Sequence, residues 1–173
     1  MRSTIFMKHL MIIELTALLF TTTSCSAKNK KNETDYTPMQ RSEVMLRKAV
    51  GDSIANIILK AKTIEIGCDS ATTKNLRTDD CVVVRYLVAD TCNYAADTEV
   101  FGHFHTYLFV KFTARKQIVT AQYDFRLHKW MLVGKENKPL RRFDLLNIEI
   151  LKYALLAFPE NQKLTEILKE EEK

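Results

Sequence analysis

Residues 100–133 read VFGHFHTYLFVKFTARKQIVTAQYDFRLHKWMLV, and this stretch decides the fold of the 173-residue chain. Its even positions are mostly apolar in the first half, and its odd positions are mostly apolar in the second half. A period of two is typical of half-buried strands, so the pattern predicts one long antiparallel hairpin. Even positions must then pair with odd ones. A two-residue turn at Arg115 and Lys116 satisfies this condition, as does a four-residue turn around them.

The same pairing gathers polar and aromatic side chains on the other face of the predicted hairpin. Symmetry about the turn puts His103 opposite His128 and Tyr107 opposite Asp124. Aromatic residues mixed with arginine are typical of interaction hot spots, so the sequence predicts a binding surface here. The alternative is that a helix or a loop covers this face and makes its aromatic side chains part of the core. The predicted surface consists of His103, His105, Tyr107, Asp124, Arg126, His128 and Trp130.

The three histidines of this surface also suggest a second kind of site. His103 and His105 share a face, and with His128 they place three imidazoles within reach of one ion. Three such ligands with an open position suit zinc or copper and would make a metal-dependent hydrolase. Against this, Arg126 lies beside His105 and repels a cation, and most histidines on a solvated strand face are simply solvated. The leading interpretation therefore has no metal and no cofactor.

Around the hairpin, the chain predicts an α+β fold with an antiparallel sheet of four strands and helices packed on its apolar face. A break threatens the N-terminal helix at Gly51, because glycine disfavours a helix interior. The helix that follows the hairpin is apolar on more than one side, so it needs a neighbour, either the last helix or a second copy of the protein. Predicted helices cover 37–61, 140–158 and 161–170, and predicted strands cover 63–68, 81–88 and the two arms of 100–133.

This arrangement, a helix followed by an antiparallel meander, resembles the cystatin-like and NTF2-like folds. The resemblance concerns the order of elements only and implies no function. Two cysteines lie at the ends of neighbouring predicted strands, Cys68 at the end of one and Cys81 at the start of the next. A disulfide between them would contribute roughly 3 kcal/mol by restricting the unfolded chain. The alternative is that both cysteines are reduced thiols.

The N-terminal residues have the pattern of a targeting segment. Arg2 and Lys8 make a basic start, residues 10–20 are mostly apolar, and Thr22-Thr23-Ser24-Cys25 follows. This resembles the signal peptide and lipobox of a bacterial lipoprotein. The resemblance implies a signal peptide over 1–24 and a lipid on Cys25. The polar, lysine-containing composition that follows predicts a flexible tether over 25–36, and the length of the chain fits a single α+β domain over 37–173. The apolar run is too short for the roughly 20 residues that span a bilayer.

The formal charge of +5 completes the sequence-based interpretation. Outside the cytoplasm a basic balance favours anionic lipids or envelope polymers over nucleic acid, although solubility alone is the simpler explanation. We therefore predict a lipid-anchored protein on the periplasmic side or outer surface of a bacterial membrane. Its role would be non-enzymatic binding of an envelope protein or small ligand. The alternatives are the histidine-based hydrolase and an envelope inhibitor or immunity-type protein.

Overall fold

The computed structural model describes residues 38–68, 72–90, 93–94 and 102–172. Within these ranges the chain is α+β, with five α-helices and one antiparallel sheet of six strands. The predicted fold class is confirmed, but the sheet has six strands where the sequence predicted four. The predicted signal peptide, the tether and Cys25 lie outside the described residues. None of the helices in the described ranges combines the length and the apolar character that crossing a bilayer demands.

The N-terminal helical segment is two helices, α1 Pro38–Val50 and α2 Asp52–Lys60, separated by Gly51. Gly51 has φ 82° and ψ 158°, a conformation that is essentially restricted to glycine. The predicted weak point is therefore a true break. Arg47 spans it, because its guanidinium contacts Glu43 at 2.8 Å on one side and Asp52 at 3.1 Å on the other.

The sheet is a continuous antiparallel array in the order β2-β1-β3-β4-β5-β6. The predicted two-residue turn at Arg115 and Lys116 is confirmed, and so is the even-to-odd register, since Leu108 faces Tyr123 and Phe112 faces Val119. A short 3₁₀ turn, Lys135–Asn137, joins the last two strands. The strands are β1 Thr63–Gly67, β2 Thr73–Asn75, β3 Leu108–Ala114, β4 Gln117–Asp124, β5 Lys129–Val133 and β6 Pro139–Asp144.

The second arm of the predicted hairpin is two strands, and this changes the place of Trp130. Strand β4 ends at Asp124, and residues 125–128 form a turn in which His128 has φ 50°. Strand β5 then returns beside β4 with Tyr123 facing Trp130, so the even positions of β5 join the odd positions of β4 on one face. The prediction that Trp130 lies on the polar face is wrong, because its side chain is fully buried in the core.

The stretch predicted as a strand at 81–88 is instead part of helix α3, Thr78–Ala89. Its buried positions Cys81, Val84 and Val88 are spaced by three and four residues, while Val82 and Val83 are 43% and 40% exposed. A helical stripe therefore overrides the β preference of the valines.

This correction removes the reason for the predicted disulfide. Cys81 does not begin a strand next to Cys68; it lies on α3, where its Sγ is 3.7 Å from the carbonyl oxygen of Leu76. Both cysteines are in the thiol form, with Cys81 buried and Cys68 half-buried.

The first part of the helix predicted at 140–158 is also a strand. Residues 139–144 form β6, in which Phe143 pairs with the buried Trp130, and helix α4 begins only at Glu149 and ends at Ala157. The last helix is confirmed as α5, Gln162–Glu171, with the Asn161 side chain accepting from the Leu164 N–H at 3.1 Å. Helix α5 packs against α4 and so is one of the two neighbours the sequence allowed.

One face of the sheet, the covered face, forms a single core with all five helices. Helical side chains such as Leu46, Ile58, Val84, Leu151 and Leu164 are buried against it. The other face, called the second face below, carries the alternate residues of the same strands. The covered face presents Ile64, Ile66, Leu108, Val110, Phe112, Val119, Ala121, Tyr123, Trp130, Leu132 and Phe143.

Candidate binding surface

A row of three charged side chains crosses the second face where β4 ends. Asp124 faces Lys129 on β5, and Lys129 faces Asp144 on β6. The Lys129 ammonium forms an ion pair with the Asp144 carboxylate, and the two side chains are only 5% and 18% exposed. Such burial is tolerated because the charges are paired. The predicted site did not include Lys129. Its position directly before the apolar residues 130–133 was the sequence feature that could have indicated a buried, paired charge. Asp144 was missed because its segment was assigned to a helix.

Asp124 is almost fully buried and organises the surrounding backbone. One carboxylate oxygen accepts from the Leu127 N–H at 3.1 Å, and the other accepts from the His105 N–H at 2.7 Å. Hydrogen bonds to an ionised acceptor are among the strongest in proteins. Asp124 therefore fixes both the 125–128 turn and the segment that carries His105. The prediction that Asp124 is itself a contact residue is wrong, because only 1% of it is exposed.

Three predicted residues do come together above this row, and they are called the His–Tyr–Arg cluster below. The His105 and Tyr107 rings meet edge to face, with centroids 4.6 Å apart. The Arg126 guanidinium carbon lies 5.8 Å from the centroid of Tyr107, within the range of a cation–π contact. His105 and Arg126 are exposed, and Tyr107 is half-buried. The cluster is thus an accessible surface on a rigid base.

The end of helix α5 borders the cluster with two carboxylates. Glu170 approaches Arg126 at 4.0 Å, and Glu171 approaches the Nε2 atom of His128 at 3.7 Å, which is an ion pair only when the imidazole is protonated. The Glu170–Arg126 pair is exposed on both sides, and pairs of this kind contribute little to stability, so a partner can displace it. The sequence pattern did not place Glu170 and Glu171 near the predicted surface.

The histidines do not build a metal centre. Among the described residues, which include His103, His105 and His128, no group of three or more His, Cys, Asp or Glu side chains is placed to hold one ion.

Trp130, another predicted member of the surface, lies on the covered face of the sheet. Its indole N–H donates to the Asn93 carbonyl at 2.7 Å, and its ring stacks on Phe143 with centroids 4.9 Å apart.

A cavity of about 380 Å³ lies elsewhere, between β2 and the end of α4, with Lys74 and Phe158 among its lining residues. The Lys74 ammonium donates to the carbonyl of Ala157 and lies 5.1 Å above the Phe158 ring. A lysine in this position satisfies a carbonyl at the helix C-terminus. Its polar group is thus already used structurally. Among the lining residues that the structure describes, Glu160 is the one other ionisable side chain, and it is exposed to solvent.

Comparison with known proteins yields no relative. No protein-family model, no curated protein and no solved structure matches the chain. The His–Tyr–Arg cluster and the charged row beneath it are therefore the features that bear on function.

Proposed function

We propose that this chain is a non-enzymatic binding module of a bacterial cell envelope, attached by a lipid on Cys25, and that the His–Tyr–Arg cluster contacts its partner protein. The observation that carries the proposal is the contrast between an exposed cluster and the buried row that fixes it. A contact surface held in place before binding loses less conformational freedom when the complex forms.

The composition of the cluster favours a protein partner. Tyrosine and arginine are enriched among residues that dominate binding energy, and here Tyr107 and Arg126 are adjacent, with His105 on the other edge of the ring. An inhibitor or immunity-type protein would use such a surface in the same way, against a defined target. The alternative of a histidine-based hydrolase has no assembled ligand group among His103, His105 and His128 to support it.

The test is capture of the partner by tagged full-length protein purified from its own envelope. We expect one stoichiometric protein with the wild type, and more than about tenfold less with Arg126→Ala, because truncating a hot-spot residue removes over 1.4 kcal/mol of binding energy. The matched control is Arg77→Ala, which removes an arginine side chain that is 92% exposed at the start of α3. Equal capture by both variants contradicts the assigned surface, and recovery of the protein alone contradicts the binding role.

The anchor has its own test. Detergent-phase partitioning and intact mass should show a lipid on the wild-type chain and none on Cys25→Ala, because the thioether needs the cysteine sulfur. A lipid anchor of two or more chains gives stable membrane attachment, at about 0.8 kcal/mol for each buried CH₂. An unmodified Cys25 in the mature wild-type protein would contradict the proposed localisation without touching the partner surface.

A further inference from the structure

Basic side chains gather at the end of the sheet opposite to the His–Tyr–Arg cluster. The β3–β4 turn lies at this end, and so does the start of β1, because the Lys62 N–H donates to the Thr113 carbonyl at 3.1 Å. The β5–β6 connection joins them, since Thr120 near the start of β4 faces Val133 at the end of β5. The group, called the basic end below, consists of the exposed residues Lys60, Lys62, Arg115, Lys116, Lys135, Lys138 and Arg141.

The charge of the basic end is not compensated locally. One acidic residue, Glu136, lies among its seven cations, so the group carries a net charge of +6, against a formal +5 for the whole chain. In the described parts of the chain none of the seven takes part in an ion pair. The positive field of the protein is therefore concentrated at one end, where it attracts an anionic surface.

Two aliphatic side chains project among these cations. Ile118 on β4 and Leu140 on β6 are each 37% exposed, although both lie in the sheet. The described residues of the basic end include no aromatic side chain on which a nucleic-acid base would stack. Cations mixed with aliphatic side chains suit the interface of a lipid bilayer, where the charge meets headgroups and the aliphatic groups meet acyl chains.

We propose that the basic end docks on a bilayer that contains anionic phospholipid, with Ile118 and Leu140 entering the interface. Each lysine or arginine near such a surface contributes about 1 kcal/mol at physiological salt. Because β4 runs from the basic end to the row at Asp124, docking turns the His–Tyr–Arg cluster away from the membrane. The membrane contact does not depend on the proposed partner, since the two surfaces lie at opposite ends of the strands.

The experiment measures binding of the full-length, non-lipidated Cys25→Ser chain to phosphatidylcholine vesicles with and without 30% phosphatidylglycerol. The test variant is Lys116→Glu with Lys138→Glu. The control is Lys48→Glu with Lys163→Glu, which changes the net charge equally at exposed positions on α1 and α5. The apolar segment at 10–20 is present in all three chains, so their binding to pure phosphatidylcholine vesicles measures how much this segment contributes to membrane binding. Trp130 emission and circular dichroism verify folding.

We expect anionic vesicles to bind the Cys25→Ser chain and the control variant similarly, within about threefold, and the test variant at least tenfold more weakly. The difference should shrink with added salt, since ions screen exposed charges beyond about 10 Å at 0.1 M. Equal losses in both variants would mean that net charge alone matters, which overturns the proposal. Indifference to phosphatidylglycerol, or tighter binding to duplex DNA than to anionic vesicles at equal salt, overturns it as well.

Discussion

The second face of the sheet buries an ion pair in addition to the apolar Met131 and Val133, whereas the covered face buries apolar and aromatic groups, and β5 contributes to both. All five residues of this strand are buried. Trp130 and Leu132 lie on the covered face, among apolar and aromatic groups, whereas Lys129 on the second face is buried through its ion pair with Asp144. Apolar burial is non-directional and tolerates rearrangement, but a buried charge depends on particular partners. On the second face, the loss of stability on substituting a buried side chain should therefore depend on its charge partner as well as on its burial.

The largest expected effect is on the covered face. Trp130→Ala removes a fully buried indole and its hydrogen bond to the Asn93 carbonyl, and we expect the free energy of unfolding to fall by about 3–5 kcal/mol. Urea denaturation followed by circular dichroism measures this loss. Trp130→Phe, which keeps a ring in the aromatic group, should lose less. A Trp130→Ala variant as stable as the wild type would restore the sequence-based placement of Trp130 on an exposed surface.

The second expected effect tests the charge row. Lys129→Met keeps most of the side-chain stem but leaves Asp124 and Asp144, on the two strands that flank β5, without the cation between them. We expect a loss of about 3 kcal/mol, because removing one partner of a buried ion pair leaves its counterpart uncompensated. The same urea experiment applies. If adding Asp144→Leu fails to recover any of the lost stability, uncompensated charge is not the cause.

The third effect, smaller near neutral pH, concerns tyrosines packed in the core. Burial raises the pKa of Tyr94 and Tyr123 above its usual value, and burial together with the Asp80 carboxylate raises the pKa of Tyr153 to about 12. The folded state therefore favours the neutral phenols. Their contribution is complete below the unfolded pKa near 10 and is lost as the pH rises from there toward the folded values.

Unfolding free energies measured from pH 8 to 11 should thus be flat at first and then decline. Tyr123→Phe should make the decline shallower, because it removes one of the groups that must ionise. An unchanged slope in Tyr123→Phe would show that Tyr123 does not contribute to the alkaline loss.

The smallest effect sharpens the comparison within the second face. Lys111 pairs with Glu65 at 3.2 Å, but these side chains are 37% and 26% exposed. Lys111→Met makes the same substitution as Lys129→Met in a solvated pair, and we expect a change of less than about 1 kcal/mol. The two variants should therefore differ several-fold in destabilisation. Similar losses would show that burial does not distinguish the two pairs.

Local pattern was enough to predict the β3–β4 hairpin, its turn at Arg115 and Lys116 and its register. It was not enough where two periodicities compete. The valines before Arg85 favour a strand by type, yet buried positions spaced by three and four residues made the segment a helix. The segment after Pro139 was assigned to a helix, yet Phe143 pairs with Trp130 across β5 and β6. In both cases the packing partner, which is distant in sequence, decides the outcome.

The candidate surface was predictable in part for the same reason. The sequence placed His105, Tyr107 and Arg126 together, and Tyr107 does contact both of the others, although Arg126 lies in the 125–128 turn and His105 precedes β3, so neither belongs to the paired strands. Trp130 was assigned to the wrong face because residues 125–128, which form a turn, continue the alternation of apolar and polar residues that is typical of a strand. Asp124 was expected at the surface. Its carboxylate instead accepts hydrogen bonds from two backbone N–H groups, and a side-chain pattern does not reveal partners of this kind.

The two outer strands have a consequence for self-association. Strand β2 has three residues, all exposed and including Lys74, while β6 starts with Pro139 and continues with the exposed Arg141 and Arg142. Short length, exposed cations and a proline without an N–H are features that block the addition of strands from other molecules. The sheet is thus protected against edge-to-edge aggregation. Within the part of the chain that the structure describes, the sheet faces and the helices are therefore the surfaces better suited to association with a second copy of the protein.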